Sequence, residues 1–198
     1  MKEEQRMAGF FFEVGTMRKL MRMHRQMLLT DDMSDSIASH SYRVSMIGWY
    51  IAKKEKADLY KTVMMCLLHD MAEARTGDHN WVHKRYVKIY EDEIHKEQFG
   101  TLPFGDFTEL IDEYKERKSK EAVIAKDADM LDQLLLLREY EWQGNREAFI
   151  WLHGGKKKDG KTGRLARLKT KTAKVLGKTI YKENPSDWWT NLWTPKNR

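Results

Sequence analysis

A single cysteine among 198 residues excludes a disulfide framework, and Cys66 sits inside the apolar run Val63 to Leu68, where it reads as a small packed hydrophobe. Prolines number three and glycines twelve. With so few breakers, the periodic apolar segments predict one all-α domain of roughly six to eight helices around a single core. There is no parallel-sheet pattern, no GxGxxG and no GxSxG elbow. Dinucleotide binding and serine hydrolysis therefore lack their usual support, and Walker-type nucleotide binding is not expected. The run Phe10-Phe11-Phe12 is too short and wrongly flanked for a signal peptide or a membrane span, so the expectation is a cytoplasmic protein with no membrane partner.

What the chain does have is a histidine and an aspartate side by side, His69-Asp70, closing the run Val63-Met64-Met65-Cys66-Leu67-Leu68. Burying that carboxylate costs roughly several kcal/mol unless a cation or hydrogen-bond donors offset it. An imidazole nitrogen beside a carboxylate oxygen suits zinc, manganese, cobalt, nickel or iron. Neighbours on a helix point about 100° apart, so the pair converges on an ion beside the helix without enclosing it. Other helices must complete the site.

Upstream, Asp35-Ser36-Ile37-Ala38-Ser39-His40 reads as a helix start with Asp35 or Ser36 as N-cap, followed by the stripe His40, Val44, Ile47, Ile51. Taken alone, His40 reads first as a hydrogen-bonded core residue. Downstream, Lys120 to Trp142 reads as a strong helix in which Ala122, Ala125 and Ala128 give a slim surface for close approach. Asp127, Asp129 and Asp132 all lie in it, and periodicity does not rank them. Glu73 follows His69 by four residues and Asp70 by three, on the metal-facing side, where a carboxylate orients or deprotonates water. Gly77 reads as a helix C-cap, leaving Asp78 at the pocket rim to accept from a sugar hydroxyl. A surface glutamate and a turn aspartate fit the same spacing.

These pieces resemble the HD-domain phosphohydrolase superfamily, and within it the small YfbR-like 5'-deoxynucleotidase branch. The matching segments are His40-Ser41, Leu67-Leu68-His69-Asp70-Met71-Ala72-Glu73 with Gly77-Asp78, and Lys126-Asp127-Ala128-Asp129, in the same order over about residues 18–145. The resemblance implies a compact multi-helix bundle with one divalent ion (Mn, Co, Zn, Ni, Fe or Mg) between helices, held by His40, His69, Asp70 and Asp129. It implies Glu73 as the catalytic carboxylate, Arg25 as the phosphate-orienting arginine and Asp78 as a sugar contact. Ser39 stands where the family commonly has a glutamate, and Gln26 where an aromatic residue follows the arginine, so base or sugar contacts are expected to differ at Gln26. Lys84 either adds a cation at the pocket edge or is an ordinary surface lysine. His79, His83 and His95 follow Gly77-Asp78 as in single-metal nucleotidases and are read as rim or surface residues. A homodimer is common among such proteins.

Net charge is +6, and from Lys156 to Lys178 Asp159 is the only acid. That cluster either attracts phosphates or, as favoured, is the solvated face of one terminal amphipathic helix with Leu165, Leu168, Leu176 and Ile180 at helical spacing. Gly154 to Gly160 reads as a flexible loop. Trp188, Trp189 and Trp193 are expected to dock on the core or on a partner subunit. The expected organisation is one HD-type domain over 1–198, with its core at about 18–145 and a basic, tryptophan-containing extension at about 156–198. The expected activity is metal-dependent hydrolysis of nucleotides, foremost deoxynucleoside 5'-monophosphates. A deoxynucleoside triphosphate triphosphohydrolase would use the same metal and cationic clamp. A single-stranded nucleic-acid-binding protein or a nuclease is the alternative from another class. The binding protein leaves His69-Asp70 unexplained, whereas a nuclease of the same superfamily would use it.

Overall fold

The computed structural model describes residues 2–154, 163–190 and 192. In chain order the helices are α1 (Glu3–Thr16), a 3-10 turn (Met17–Lys19), α2 (His24–Leu28), α3 (Ile37–Glu55), α4 (Leu59–Leu68), α5 (Glu73–Thr76), α6 (His83–Tyr86), α7 (Glu91–Phe99), α8 (Asp106–Glu116), α9 (Lys120–Trp142), α10 (Arg146–His153), α11 (Arg164–Arg167), α12 (Lys171–Ile180) and α13 (Asp187–Thr190). Among the described residues there is no strand, only an isolated antiparallel bridge between Met21 and Ser36. The chain is all-α, and none of its described helices is long and apolar enough to cross a membrane.

Three helices set the centre. α3, α4 and α9 pack against one another, with α8, α10 and α12 added around α9. Close approach follows from small side chains at the crossings. A Cβ at Gly48 of α3 would stand 2.6 Å from Cys66 Sγ of α4 and 3.8 Å from the Ala128 Cβ of α9, so glycine is required there. Ala122, Ala125 and Ala128 are buried, as the slim-surface reading expected. α9 buries residues on nearly all its sides, which is what a helix with neighbours all round must do. Helix starts are set locally: Ser36, Asp58, Ser119, Asn145 and Thr170 each accept a backbone N–H three residues on.

Two expectations about helix continuity are corrected. α4 stops at Leu68, and His69 is its C-cap; residues 70–75 then wind tightly, with Met71 N–H on Leu68 O, Glu73 N–H on Asp70 O and Ala74 N–H on Met71 O. Such i to i+3 bonds give three residues per turn, so Asp70 and Glu73 still share a side. Gly77 ends this stretch with φ +73°, a conformation that favours glycine. The basic C-terminal segment is two helices and not one, because Thr170 caps α12 and Asp127 of α9 accepts from Lys169 N–H, Thr170 N–H and Thr170 Oγ1. Leu168 and Ile180 are buried, with Leu165 and Leu176 packed beside them. Trp188 is 73% and Trp189 43% exposed, so neither is docked on the core. Trp193 and the span 155–160 of the expected loop lie outside the described residues, while Gly154 is the left-handed C-cap of α10.

Candidate metal centre

His40 projects from the first turn of α3, His69 and Asp70 from the end of α4, and Asp129 from the middle of α9. Their ligand atoms meet. His40 Nε2 lies 3.2 Å from His69 Nε2, 3.4 Å from Asp70 Oδ2 and 3.5 Å from Asp129 Oδ1. His69 Nε2 lies 3.1 Å from Asp70 Oδ2 and 4.0 Å from Asp129 Oδ1. Ligands at about 2.0–2.2 Å from a tetrahedral ion stand about 3.3–3.6 Å apart, so the spacing suits one divalent ion. Both imidazoles are fixed from behind. His69 Nδ1–H donates to Cys66 O at 2.8 Å, and His40 Nδ1–H to Asp132 Oδ2 at 2.6 Å. Each Nε2 is thereby turned toward the other and toward the two carboxylates, the placement from which both rings, once neutral, can share one cation. His40, His69 and Asp129 form a group with metal-holding geometry.

Electrostatics agree with a site built for a cation. Burial and Arg22 lower the His40 pKa, but contacts with Asp132 and Asp70 outweigh them and carry it up to about 9. Burial raises Asp129, yet Lys126, His69 and His40 bring it down to about 2. Asp70, likewise opposed by burial, is held well below the usual carboxylate range by His69 and His40. Glu73 goes the other way, up to about 10, through burial and then the charges of Asp70 and Asp78.

The group opens into a pocket of about 500 Å³, on whose walls Glu73, Asp78 and Lys84 all stand. Asp78 also accepts from Met23 N–H at 2.5 Å, tying the loop after α5 to the loop before α2. Arg25 is not in this pocket: its guanidinium faces Met33 and lies 4.0 Å from Asp31. The arginine that is there is Arg22, which donates to Asp132 Oδ2 at 3.1 Å and contacts His24 Nε2 at 3.2 Å. Gln26 is also displaced, accepting from Asn80 Nδ2 at 2.8 Å outside the pocket wall. His79 reaches the rim. His95 is no surface residue; it is buried, stacks on Phe99, and neither ring nitrogen has a partner among the described residues.

Reading the sequence missed Arg22, Lys126, His24, Gln133, Trp151 and Arg164, all on the pocket wall, and gave Asp132 no role. Asp132 carried a signal, being one turn beyond Asp129 on α9. It is fully buried and takes Arg43 Nε at 2.5 Å as well as Arg22 and His40. A second hollow of about 450 Å³ opens behind His40, where Arg43 is already paired with Glu139. Against the expectation of no Walker-type motif, Gly155 to Thr162 (GKKKDGKT) fits the Walker spelling. It lies outside the described residues, and helix α10 precedes it where that loop follows a strand.

An all-α bundle with a partly buried His-His-Asp-Asp group between three helices defines a class of helical candidate metal-site domains. The chain matches the HD domain family over residues 17–167 and belongs to that family. It is similar to 5'-deoxynucleotidase HDDC2 of Dictyostelium discoideum, 31% identical over 126 residues, covering 57% of this chain and 66% of that protein. It is also similar to 5'-deoxynucleotidase YBR242W of Saccharomyces cerevisiae, 30% identical over 154 residues, covering 71% of this chain and 59% of that one. The chain thus spans between about half and two thirds of the length of the curated relatives it matches. The PH0347 protein of Pyrococcus horikoshii OT3 superposes with a TM-score of 0.67 at 26% identity, over 88% of this chain and 98% of that one.

Proposed function

We propose that the protein is a metal-dependent phosphohydrolase that removes the phosphate of deoxynucleoside 5'-monophosphates. The observation that carries the reading is the facing pair of Nε2 atoms, 3.2 Å apart, joined by Asp70 and Asp129 at the floor of the pocket. The names of the curated relatives supply the substrate class.

His40, His69, Asp70 and Asp129 would hold the ion. Bound there, a divalent metal supplies a Lewis acid for the phosphate oxygens and for water, and its charge draws Glu73 to the carboxylate form. Glu73 orients the attacking water and takes its proton. Arg22, whose guanidinium keeps donors beyond those on Asp132 and His24, steadies the phosphate together with Lys84. Asp78, with one oxygen on Met23 N–H, offers the other to a sugar hydroxyl. Asp132 keeps His40 in the coordinating tautomer.

The same reading takes 1–198 as one HD-type unit with its core at 18–145, acting in the cytoplasm as a homodimer. The exposed stripe Tyr42, Met46, Trp49 and Tyr50 on α3 is the face available for pairing; a monomer mass by light scattering would remove the dimer. Activity is tested by phosphate release from a panel of deoxy- and ribonucleotides with Mn, Co, Zn and Mg. Glu73→Ala should keep its metal and lose about 10²–10⁴-fold in turnover. Asp70→Ala and His69→Ala should lose both. Full activity in a metal-free Asp70→Ala protein would end the proposal.

A further inference from the structure

The mechanism above uses the floor of the pocket and leaves one wall without a task. Arg164, the first residue of α11, is partly buried there; its guanidinium lies 5.5 Å from the centre of the Trp151 ring, and its Nε–H donates to Trp151 O at 3.4 Å. A terminal N–H donates to Gln133 Oε1. Among the described residues no carboxylate pairs with it. Burial lowers its pKa, Tyr181 opposes that, and the like charge of Arg167 adds to the fall. Arg167, one turn on, is exposed on the same pocket and also has no ion pair among the described residues. A partly desolvated guanidinium beside a second cation is unfavourable until an anion arrives.

The position of this pair is set from the metal side. Gln133 holds Arg164 through Oε1, and its Nε2–H donates to His24 Nε2 at 2.9 Å. His24 Nε2 also receives an N–H of Arg22, so the ring is neutral, and burial with Arg22 brings its pKa down to about 4. Arg22 and Arg164 are therefore joined through His24 and Gln133, which fixes the separation of two cationic stations on one wall.

We propose that Arg164 and Arg167 form a second anion subsite, which receives a phosphoryl group of the nucleotide other than the one removed. This rests on the nucleotide phosphohydrolase reading and adds to it tighter binding of nucleotides that carry a second phosphoryl group. A single phosphoryl dianion is already matched by the metal group with Arg22 and Lys84; it leaves Arg164 and Arg167 unanswered. The second group comes either from a 5'-di- or triphosphate chain or from the sugar of a 3',5'-bisphosphate.

The test is calorimetric titration of the metal-stripped full-length protein with thymidine 5'-monophosphate, 5'-triphosphate and 3',5'-bisphosphate, with phosphate release from the three measured on the metal-loaded protein. The wild type should bind one of the two multiply phosphorylated ligands at least about tenfold tighter than the monophosphate, as expected for a charge-assisted contact. Which one it is names the source. Arg164→Ala with Arg167→Ala should bring that ratio close to one. Arg167→Glu, at an exposed position, should lower the ratio as well and keeps the test open if loss of Arg164 unseats α11. Equal binding of all three by the wild type, or a ratio that survives the double substitution, overturns the subsite while leaving monophosphate hydrolysis standing. No release from any nucleotide by the metal-loaded protein overturns the activity, and the subsite with it.

Discussion

Asp132 is the residue on which the metal centre leans from behind, and Asp132→Asn isolates that role. The asparagine keeps the volume, and its Oδ1 can still accept from His40 Nδ1, now 2.6 Å from the native carboxylate. What is lost is the charge, leaving Arg22 (3.1 Å) and Arg43 (2.5 Å) to face a neutral amide in a fully buried position. Loss of a carboxylate behind a metal-binding histidine costs about 10–100-fold in metal affinity, about 1.4–2.8 kcal/mol. Removing one partner of a buried ion pair costs about 3–5 kcal/mol; the lower end applies because Arg43 keeps Glu139 at 2.6 Å. For a chain of this size about 3 kcal/mol is a fall of about 6–12 °C in Tm. Competition with a chromophoric chelator gives the metal Kd, and calorimetry gives Tm. Asp127→Asn is the control. Asp127 is buried on the same helix but answers Lys169 and Thr170, so its substitution should lower Tm and leave the metal Kd within about twofold. A wild-type Kd in Asp132→Asn, or equal weakening in Asp127→Asn, refutes the argument.

Metal binding should depend on pH through His40. Its pKa of about 9 in the metal-free protein stands above the ordinary 6.5, so the imidazolium stabilises the metal-free fold fully below pH 6.5, and that contribution disappears as pH rises through about 9. Coordination needs the neutral ring, and Glu73 would give up its proton as well, so metal affinity should climb at least about tenfold per pH unit up to about pH 9, with proton release seen in buffers of different ionisation enthalpy. A flat Kd across that range contradicts the assignment. At the helix crossing, Gly48→Ala places a Cβ 2.6 Å from Cys66 Sγ and should cost about 1–3 kcal/mol by overpacking. Adding Cys66→Ala should restore part of the loss, and strictly additive melting temperatures would show that the crossing is looser than described.

Much of this site was legible because its ligands sit where local rules act. Ser36 caps α3 through Ser39 N–H, which places His40 in the first turn at the head of the buried stripe Val44, Ile47 and Ile51. The bounds of α9 follow from the Ser119 cap and the helix-forming run behind it. The choice between Arg22 and Arg25 obeys no such rule. Arg22 N–H bonds to Asp35 O and Ile37 N–H to Leu20 O, so residues 20–22 run antiparallel to 35–37 and turn Arg22 inward, while Arg25 on the short α2 is left facing Asp31. Spacing from His40 carries no trace of that doubling back. Asp132 is opaque for a related reason, since its burial is compensated by Arg22 and Arg43, 110 and 89 residues away. Asp127 breaks the expected C-terminal helix across 42 and 43 residues in the same manner. A buried charge takes its place from whichever opposite charge or donor the fold delivers to it, and long-range delivery leaves no periodic mark. The proposed ligands His40, His69 and Asp70 escape this opacity because their partner would be an ion, so the chain needs only the ligand types at a helix start and a helix end; Asp129, in the middle of α9, is singled out by resemblance alone, and the groups that hold these side chains still answer to residues a hundred positions off.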